Sequence, residues 1–307
     1  MSAVPALEIG GTHVASAMVD VARPVVVTGS WTRMPLDADD SADSILATIV
    51  ACAGALAAAP GSAWGIAIPG PFDYSAGIGR FEGVAKFGAL EGVNVGRRLM
   101  AGLPTPTRVA FLNDAAAFLI GEWAAGAAIG HDRVAGITLG TGIGSAFLAG
   151  GRIVNTGPDV PPNGEVHHLS VDGRPLEETV SRRAIVAAYL RLAVRGSADR
   201  VPDVAEIASL ARQGESPALA AMAGPLRALG RTLAPWLERF GATVLVVGGS
   251  IAGSWDLVEP PLRDGLGAKI ELRRARLPDD AALIGAALFV VDSMQQFVAR
   301  RATTRHG

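Results

Sequence analysis

The chain has 307 residues, a formal net charge of −2 and one cysteine, Cys52. Half of its residues are apolar and 18% are charged, which supplies a large core and is the reverse of a disordered composition. The charge argues against a protein that lives on nucleic-acid phosphates. The lone cysteine rules out an intrachain disulfide framework and a cysteine-built zinc cage, so a reducing cytoplasm is the expected location.

The length fits two domains. The first residues lack a basic region and Glu8 interrupts the first apolar run, so no signal peptide is expected. The stretch from Ile45 to Phe72 carries no charge, but Pro60-Gly61 breaks it. Its uninterrupted part, Ile45 to Ala59, is shorter than the roughly 20 residues that span a bilayer. A buried alanine-rich helix followed by a buried strand is the expectation, with no membrane partner.

In chain order, Ala6 to Ile9 reads as a strand, Gly10-Gly11-Thr12 as a tight turn, and Val14 to Val19 as a returning strand. Val25 to Trp31 extends that sheet, and Asp40 to Ser44 caps a helix running to Ala59. Trp64 to Ile68 is a strand that ends in the forced turn Pro69-Gly70-Pro71. Arg108 to Leu112 is another strand, ending at Asn113-Asp114, and an alanine-rich helix follows from Ala115 to about Ala128.

The opening pattern then recurs. Ala135 to Leu139 is a strand, Gly140-Thr141-Gly142-Ile143-Gly144 a glycine turn, and Ser145 to Leu148 the return. This echo predicts two related α/β halves, 1–112 and 113–307, with the last helix able to pack back on the first. Further on, Leu176 to Arg195 and Asp203 to Gln213 have helical spacing, and Pro217 to Phe240 is a long helix with expected breaks at Pro225 and Pro235. Thr243 to Val247 is an apolar strand running into Gly248-Gly249-Ser250, a glycine turn that opens a helix. Ala281 to about Arg300 forms a final helix, and Arg300 to Gly307 reads as a solvated end.

Three features carry chemistry. The glycine turns expose backbone N–H groups that can cradle phosphates, and glycine suits them by allowing close approach and positive φ. The G-x-G-x-G spacing with a strand after it differs from the dinucleotide fingerprint, which needs G-x-G-x-x-G opening a helix. Asn113-Asp114, at a strand-to-helix junction, is either a helix cap or the site of a carboxylate that takes a proton from a substrate hydroxyl. Glu165, His167 and His168, with Glu177 and Glu178 nearby, read as a solvated loop, a hydrogen-bonding wall for a polyol, or a metal group short of well-spaced ligands.

Taken together, the ordered motifs resemble the ROK family of sugar kinases, within the sugar kinase/actin/Hsp70 superfold. Leu7-Glu8-Ile9-Gly10-Gly11-Thr12 is similar to the family's first phosphate motif and Leu139 to Gly144 to its second. Pro69-Gly70-Pro71 resembles its PGP stretch and Leu112-Asn113-Asp114-Ala115-Ala116 its catalytic N-D-A segment. Gly164-Glu165-Val166-His167-His168 resembles its sugar-binding segment, Leu176-Glu177 the acid downstream of it, and Val247 to Ile251 its adenosine-binding turn.

The resemblance implies a two-domain actin-like ATPase (ribonuclease H-like) α/β fold with mixed sheets and an interdomain cleft. It implies ATP-dependent phosphorylation of a hexose, glucose first, at the 6-hydroxyl with Mg²⁺, in a homodimer. Asp114 would be the general base. Gly70, Asn113, Glu165, His168 and Glu177 would meet the sugar. Glu8, Gly10, Gly11, Thr12, Gly140, Thr141, Gly142, Gly144, Gly248, Gly249 and Ser250 would serve the nucleotide. Phosphoryl transfer needs mainly alignment and charge neutralisation, which such a set supplies.

The chain departs from the family at four places. Glu8 stands for the usual Asp, the C-x-C-G-x-x-G-C zinc loop is missing between His168 and Glu177, His167 replaces a glycine, and Gly83 to Phe87 stands where relatives carry Asn-Leu before a Trp. No structural zinc is therefore expected. A non-catalytic sugar sensor and an unrelated nucleotide enzyme such as a dehydrogenase are the competing readings. A DNA-binding regulator is not expected, because the first phosphate motif starts by Leu7.

Overall fold

The computed structural model describes residues 3–84, 86–193, 201–267 and 270–304. It divides into two compact units, Met1–Ala125 with Asp279–Gly307, and Gly126–Pro278.

The first unit opens with β1 (Val4–Ile9), β2 (His13–Asp20), β3 (Val25–Val26) and β4 (Thr32–Pro35). Helix α1 (Ala42–Gly54), β5 (Ala63–Ile68), the short pair β6 (Phe72–Asp73) and β7 (Ile78–Gly79), α2 (Val95–Gly102), β8 (Arg108–Asn113) and α3 (Asp114–Ala125) follow. The main sheet runs β3-β2-β1-β5-β8, with β4 also paired to β2. β1 pairs antiparallel with β2 and parallel with β5, which pairs parallel with β8. Leu7, Ile9, Trp64, Ile66 and Ile68 are fully buried in its core.

The second unit holds β9 (Arg133–Leu139), β10 (Ile143–Ala149), β11 (Arg152–Ile153), β12 (Ser170–Val171), β13 (Arg174–Pro175), α4 (Glu177–Val180), α5 (Arg182–Leu192), α6 (Val204–Arg212) and α7 (Ser216–Phe240). It closes with β14 (Val244–Gly248), α8 (Trp255–Leu266) and β15 (Glu271–Arg274), and α9 (Ala281–Thr304) returns to the first unit. Its sheet runs β11-β10-β9-β14-β15, antiparallel on one side of β9 and parallel on the other. This repeats the strand order and directions of the first sheet, so the sequence echo is a repeat of topology. β14 is buried at every position, the mark of a parallel strand covered on both faces.

Several expectations are corrected. Of the strand expected over Val25 to Trp31 only β3 forms; Gly29 takes a left-handed conformation (φ 78°) in the turn that follows, and β4 starts at Thr32. Helix α1 stops at Gly54, not Ala59, in a tightened last turn where Ala55 N donates to Cys52 O. Ser181, in extended conformation, divides α4 from α5 and caps the latter through Ala184 N. Helix α7 runs unbroken through Pro225 and Pro235, with Pro225, Leu226, Leu229, Leu233 and Leu237 buried against its neighbours. Packing along one continuous face offsets the two missing N–H bonds.

Helix α3 lies in the first unit, where the sequence reading set it at the head of the second half. It packs on α9 through glycines: a Cβ on Gly121 would collide with Ala281 O, and one on Gly285 with Ala117 O. The backbones approach so closely that no side chain fits between them. Helix α9 continues to Thr304; the last three residues of the expected solvated tail lie outside the described residues. Among the described residues, no helix is long and apolar enough to cross a membrane.

Candidate functional site

In each unit the motif residues sit at the carboxyl ends of parallel strands, where strands stop and backbone groups are left to turns. In the first unit these are Ile9, Ile68 and Asn113, leading into Gly10, Pro69-Gly70 and Asp114. The Gly10 turn is tight, with Gly10 N donating to His13 O at 2.8 Å. Neither Gly10 nor Gly11 takes a positive φ, so left-handed geometry is not what calls for glycine there. The Lys86 side chain lies over Gly11: a Cβ there would stand 2.7 Å from its Nζ and 2.8 Å from its Cδ.

At the Asn113-Asp114 junction the helix cap falls mainly to Asn113. Asn113 Oδ1 accepts from Ala115 N at 2.9 Å and Ala116 N at 3.2 Å, so Asn113 caps the helix. Its Nδ2 donates to Tyr74 Oη at 3.2 Å, and Tyr74 Oη donates to Ile68 O at 3.4 Å. A Cβ on Gly70 would sit 3.3 Å from that same hydroxyl. Gly70, Tyr74 and Asn113 therefore form one group.

Asp114 Oδ1 accepts from Ala115 N at 2.9 Å. Burial pushes its carboxyl above the ordinary range, against lowering by the backbone N–H groups of Ala115 and Asp114 and by the charge of Lys86. Glu8 is raised from 4.5 to about 7, first by burial, then by Asp114, with Arg33 opposing and Asp279 adding to it. Two carboxylates thus stand in one recess at the end of the sheet.

In the second unit the Gly140 turn closes through Gly140 N donating to Gly142 O at 3.0 Å. Glu177 Oε2 accepts from Ile143 N at 3.3 Å, and a Cβ on Gly142 would lie 2.7 Å from that oxygen. Glu177 is therefore brought to the turn itself. Gly144 lies inside β10, opposite Thr138, and not in the turn. Gly249 has φ 83° and packs on the Leu139 backbone so closely that a Cβ would collide with it, while Ser250 Oγ lies 3.7 Å from a Cβ built on Gly140. The second phosphate motif and the expected adenosine turn are thus neighbours.

Ser145 Oγ donates to Gly164 O at 2.6 Å and accepts from Val166 N at 3.0 Å, which ties β10 to the segment carrying Glu165. Glu165 and His168 pair at 3.7 Å, and the rings of His167 and His168 lie tilted to each other with centroids 3.9 Å apart. The ligand atoms of Glu165, His167 and His168 lie within 4.8 Å of one another. His167 is lowered, first by burial and then by His168, against Glu165 and Glu177. Where the family's zinc loop would stand, β12 and β13 form a hairpin closed by Asp172 (φ 49°) and Gly173 (φ 78°), the left-handed pair that tight hairpins favour.

Sequence reasoning did not assign Lys86, Arg33, Asp279 or Tyr74 to the site. Asp-Asp ahead of the last helix and a lysine in an arginine-rich chain were the visible signals. The contacts themselves join residues far apart in sequence.

Residues 4–293 match the ROK family. A glucokinase of Thermotoga maritima is 29% identical over 255 residues, covering 74% of this chain and 78% of that one. The ROK hexokinase structure from Thermus thermophilus superposes with a TM-score of 0.76 at 26% identity, covering 96% of this chain and 99% of that one. A ROK family glucokinase from Streptomyces griseus, solved in complex with glucose and AMPPNP, gives 0.72 at 25% identity, covering 93% and 98%. The mixed α/β architecture is that of the actin-like ATPase fold, as the motifs implied.

Proposed function

The chain belongs to the ROK family and is one of its sugar kinases, and from that premise we propose that it transfers the γ-phosphoryl group of ATP to the 6-hydroxyl of a hexose, glucose foremost, with Asp114 as general base. The observation that carries the assignment is the state of Asp114. Its carboxylate is anchored at a strand end beside Asn113, which caps the helix, and burial raises its proton affinity. A carboxylate so raised is a better proton acceptor than an exposed one. In the reaction the sugar O6 bonds to phosphorus, the bond from phosphorus to the bridging oxygen of ADP breaks, and the O6 proton passes to Asp114.

Asn113, held by Tyr74 and by its cap, is set to meet sugar hydroxyls with fixed geometry. Gly70 leaves room beside the same hydroxyl. Glu165, His168 and Glu177 complete the sugar contacts, and the Gly10, Gly140 and Gly248 turns serve the nucleotide. Glu8 is a hard oxygen donor on the strand that leads into the Gly10 turn, so it would hold Mg²⁺ and leave Asp114 free as the base. When bound, the ion supplies charge neutralisation on the phosphates. The Asp172-Gly173 hairpin orders the segment after His168 by turn chemistry.

A coupled ADP-release assay over a hexose panel tests the reading. Turnover with ATP and Mg²⁺ is expected, with glucose preferred. Asp114→Ala should lose turnover by about 10²- to 10⁴-fold and keep most sugar binding. A wild type that binds sugar and never turns over would make this a sensor; one that binds NAD and not ATP would be a different enzyme.

A further inference from the structure

Resting on the kinase reading above, we infer that Lys86 is a further catalytic residue: its ammonium, laid over Gly11 in the first glycine turn, contacts the phosphoryl group during transfer. Four observations support this. The side chain runs directly across the turn, since a Cβ on Gly11 would stand 2.7 Å from Nζ, 2.8 Å from Cδ and 3.0 Å from Cε. With glycine at position 11 the lysine stem lies directly on the turn. The same charge is felt at Asp114, where it favours the ionised carboxylate. Among the described residues, no hydrogen bond or ion pair holds the half-buried Lys86 side chain. A cation left without a partner beside an amide turn and a base is matched by an anionic group.

The segment is also fixed in a way that a plain surface loop is not. Phe87 takes a left-handed conformation (φ 59°), which is costly for a bulky residue. It is fully buried, its N donates to Ala38 O at 2.9 Å, and its ring packs on Phe81 with centroids 5.4 Å apart. This anchor sets the direction in which the preceding lysine leaves the chain. Composition points the same way. Of the 27 cationic residues only Lys86 and Lys269 are lysines, so the chain uses arginine for nearly every cation and keeps a compact ammonium here. A point charge on a slender stem fits over Gly11, whereas a planar guanidinium is broader.

The test compares wild type with Lys86→Met, Lys86→Ala and Gly11→Ala in the full chain. For Lys86→Met, kcat should fall about 10²- to 10³-fold, the usual loss for one transition-state charge contact, with KM for the sugar changed by less than about threefold. Binding of AMPPNP should weaken about tenfold relative to ADP, because only the former carries the group that Lys86 meets. Gly11→Ala displaces the ammonium, so it should lower kcat in the wild type and do less in a Lys86→Ala background, whose shortened side chain no longer reaches the turn. Thermal melts check that each variant is folded.

A Lys86→Met enzyme with wild-type kcat, equal weakening of AMPPNP and ADP, or additive effects of Gly11→Ala and Lys86→Ala each overturn the assignment. Absence of turnover in the wild type itself counts against the kinase reading instead. The AMPPNP-to-ADP comparison still decides whether Lys86 meets the terminal phosphate.

Discussion

Glu8 offers the sharpest quantitative test of the carboxylate pair. Glu8→Gln removes the charge and keeps the shape. In the folded chain the Glu8 carboxyl titrates at about 7 against an ordinary 4.5, because burial and Asp114 oppose its ionised form. Each tenfold change in proton affinity corresponds to about 1.4 kcal/mol, so the fully ionised side chain costs the fold about 3 kcal/mol.

The sign follows from which state loses its proton first. Below 4.5 both states hold the proton and there is no penalty. As pH rises the unfolded chain ionises first, stability declines, and the decline is complete above 7. The Glu8→Gln variant has no such decline, because its amide does not titrate. Urea unfolding without added Mg²⁺ should show the variant more stable than wild type by about 1 kcal/mol at pH 5 and about 3 kcal/mol at pH 8, or somewhat less where water screens the partly exposed carboxylate. The same variant should lose kinase activity, since the proposed function sets Glu8 beside the metal and phosphates. This is a stability gain at the expense of function. A variant whose advantage is the same at both pH values would refute the claim that Glu8 is held under strain beside Asp114.

Three other outcomes follow from the packing. Gly285→Ala places a methyl against Ala117 O and should destabilise the chain by about 2–4 kcal/mol in denaturant unfolding, with α3 and α9 losing hydrogen-exchange protection together. Ser145→Ala leaves Val166 N and Gly164 O without their shared partner; it should raise the KM for sugar with kcat less affected, and cost about 1–2 kcal/mol. Elemental analysis should find no stoichiometric zinc, and chelator treatment should leave the melting temperature unchanged. A shift of several degrees would instead assign Glu165, His167 and His168 a structural metal.

The two strand–glycine turn–strand units were legible from residue order, because alternation and glycine placement are local properties. So was the convergence of Asn113-Asp114 on a strand end. The same local signals misled at Pro225 and Pro235, where a helix reads as broken and is continuous. Proline costs a backbone bond wherever it stands, and only the packing of a long apolar face determines whether the helix survives it.

What residue order determined by itself is the list of motifs and their sequence: strands, amide turns, a capped junction, and a glutamate in place of an aspartate. The tertiary structure alone decided what each glycine is for and how each carboxylate titrates. Gly249 is glycine because the Leu139 backbone lies against it, while Gly11 and Gly142 carry the movable ends of Lys86 and Glu177 over them. Glu8 is a weak acid because Asp114 is brought beside it and solvent is kept away. These are contacts between distant stretches of chain, and excluded volume and desolvation arise only once the fold has brought those stretches together.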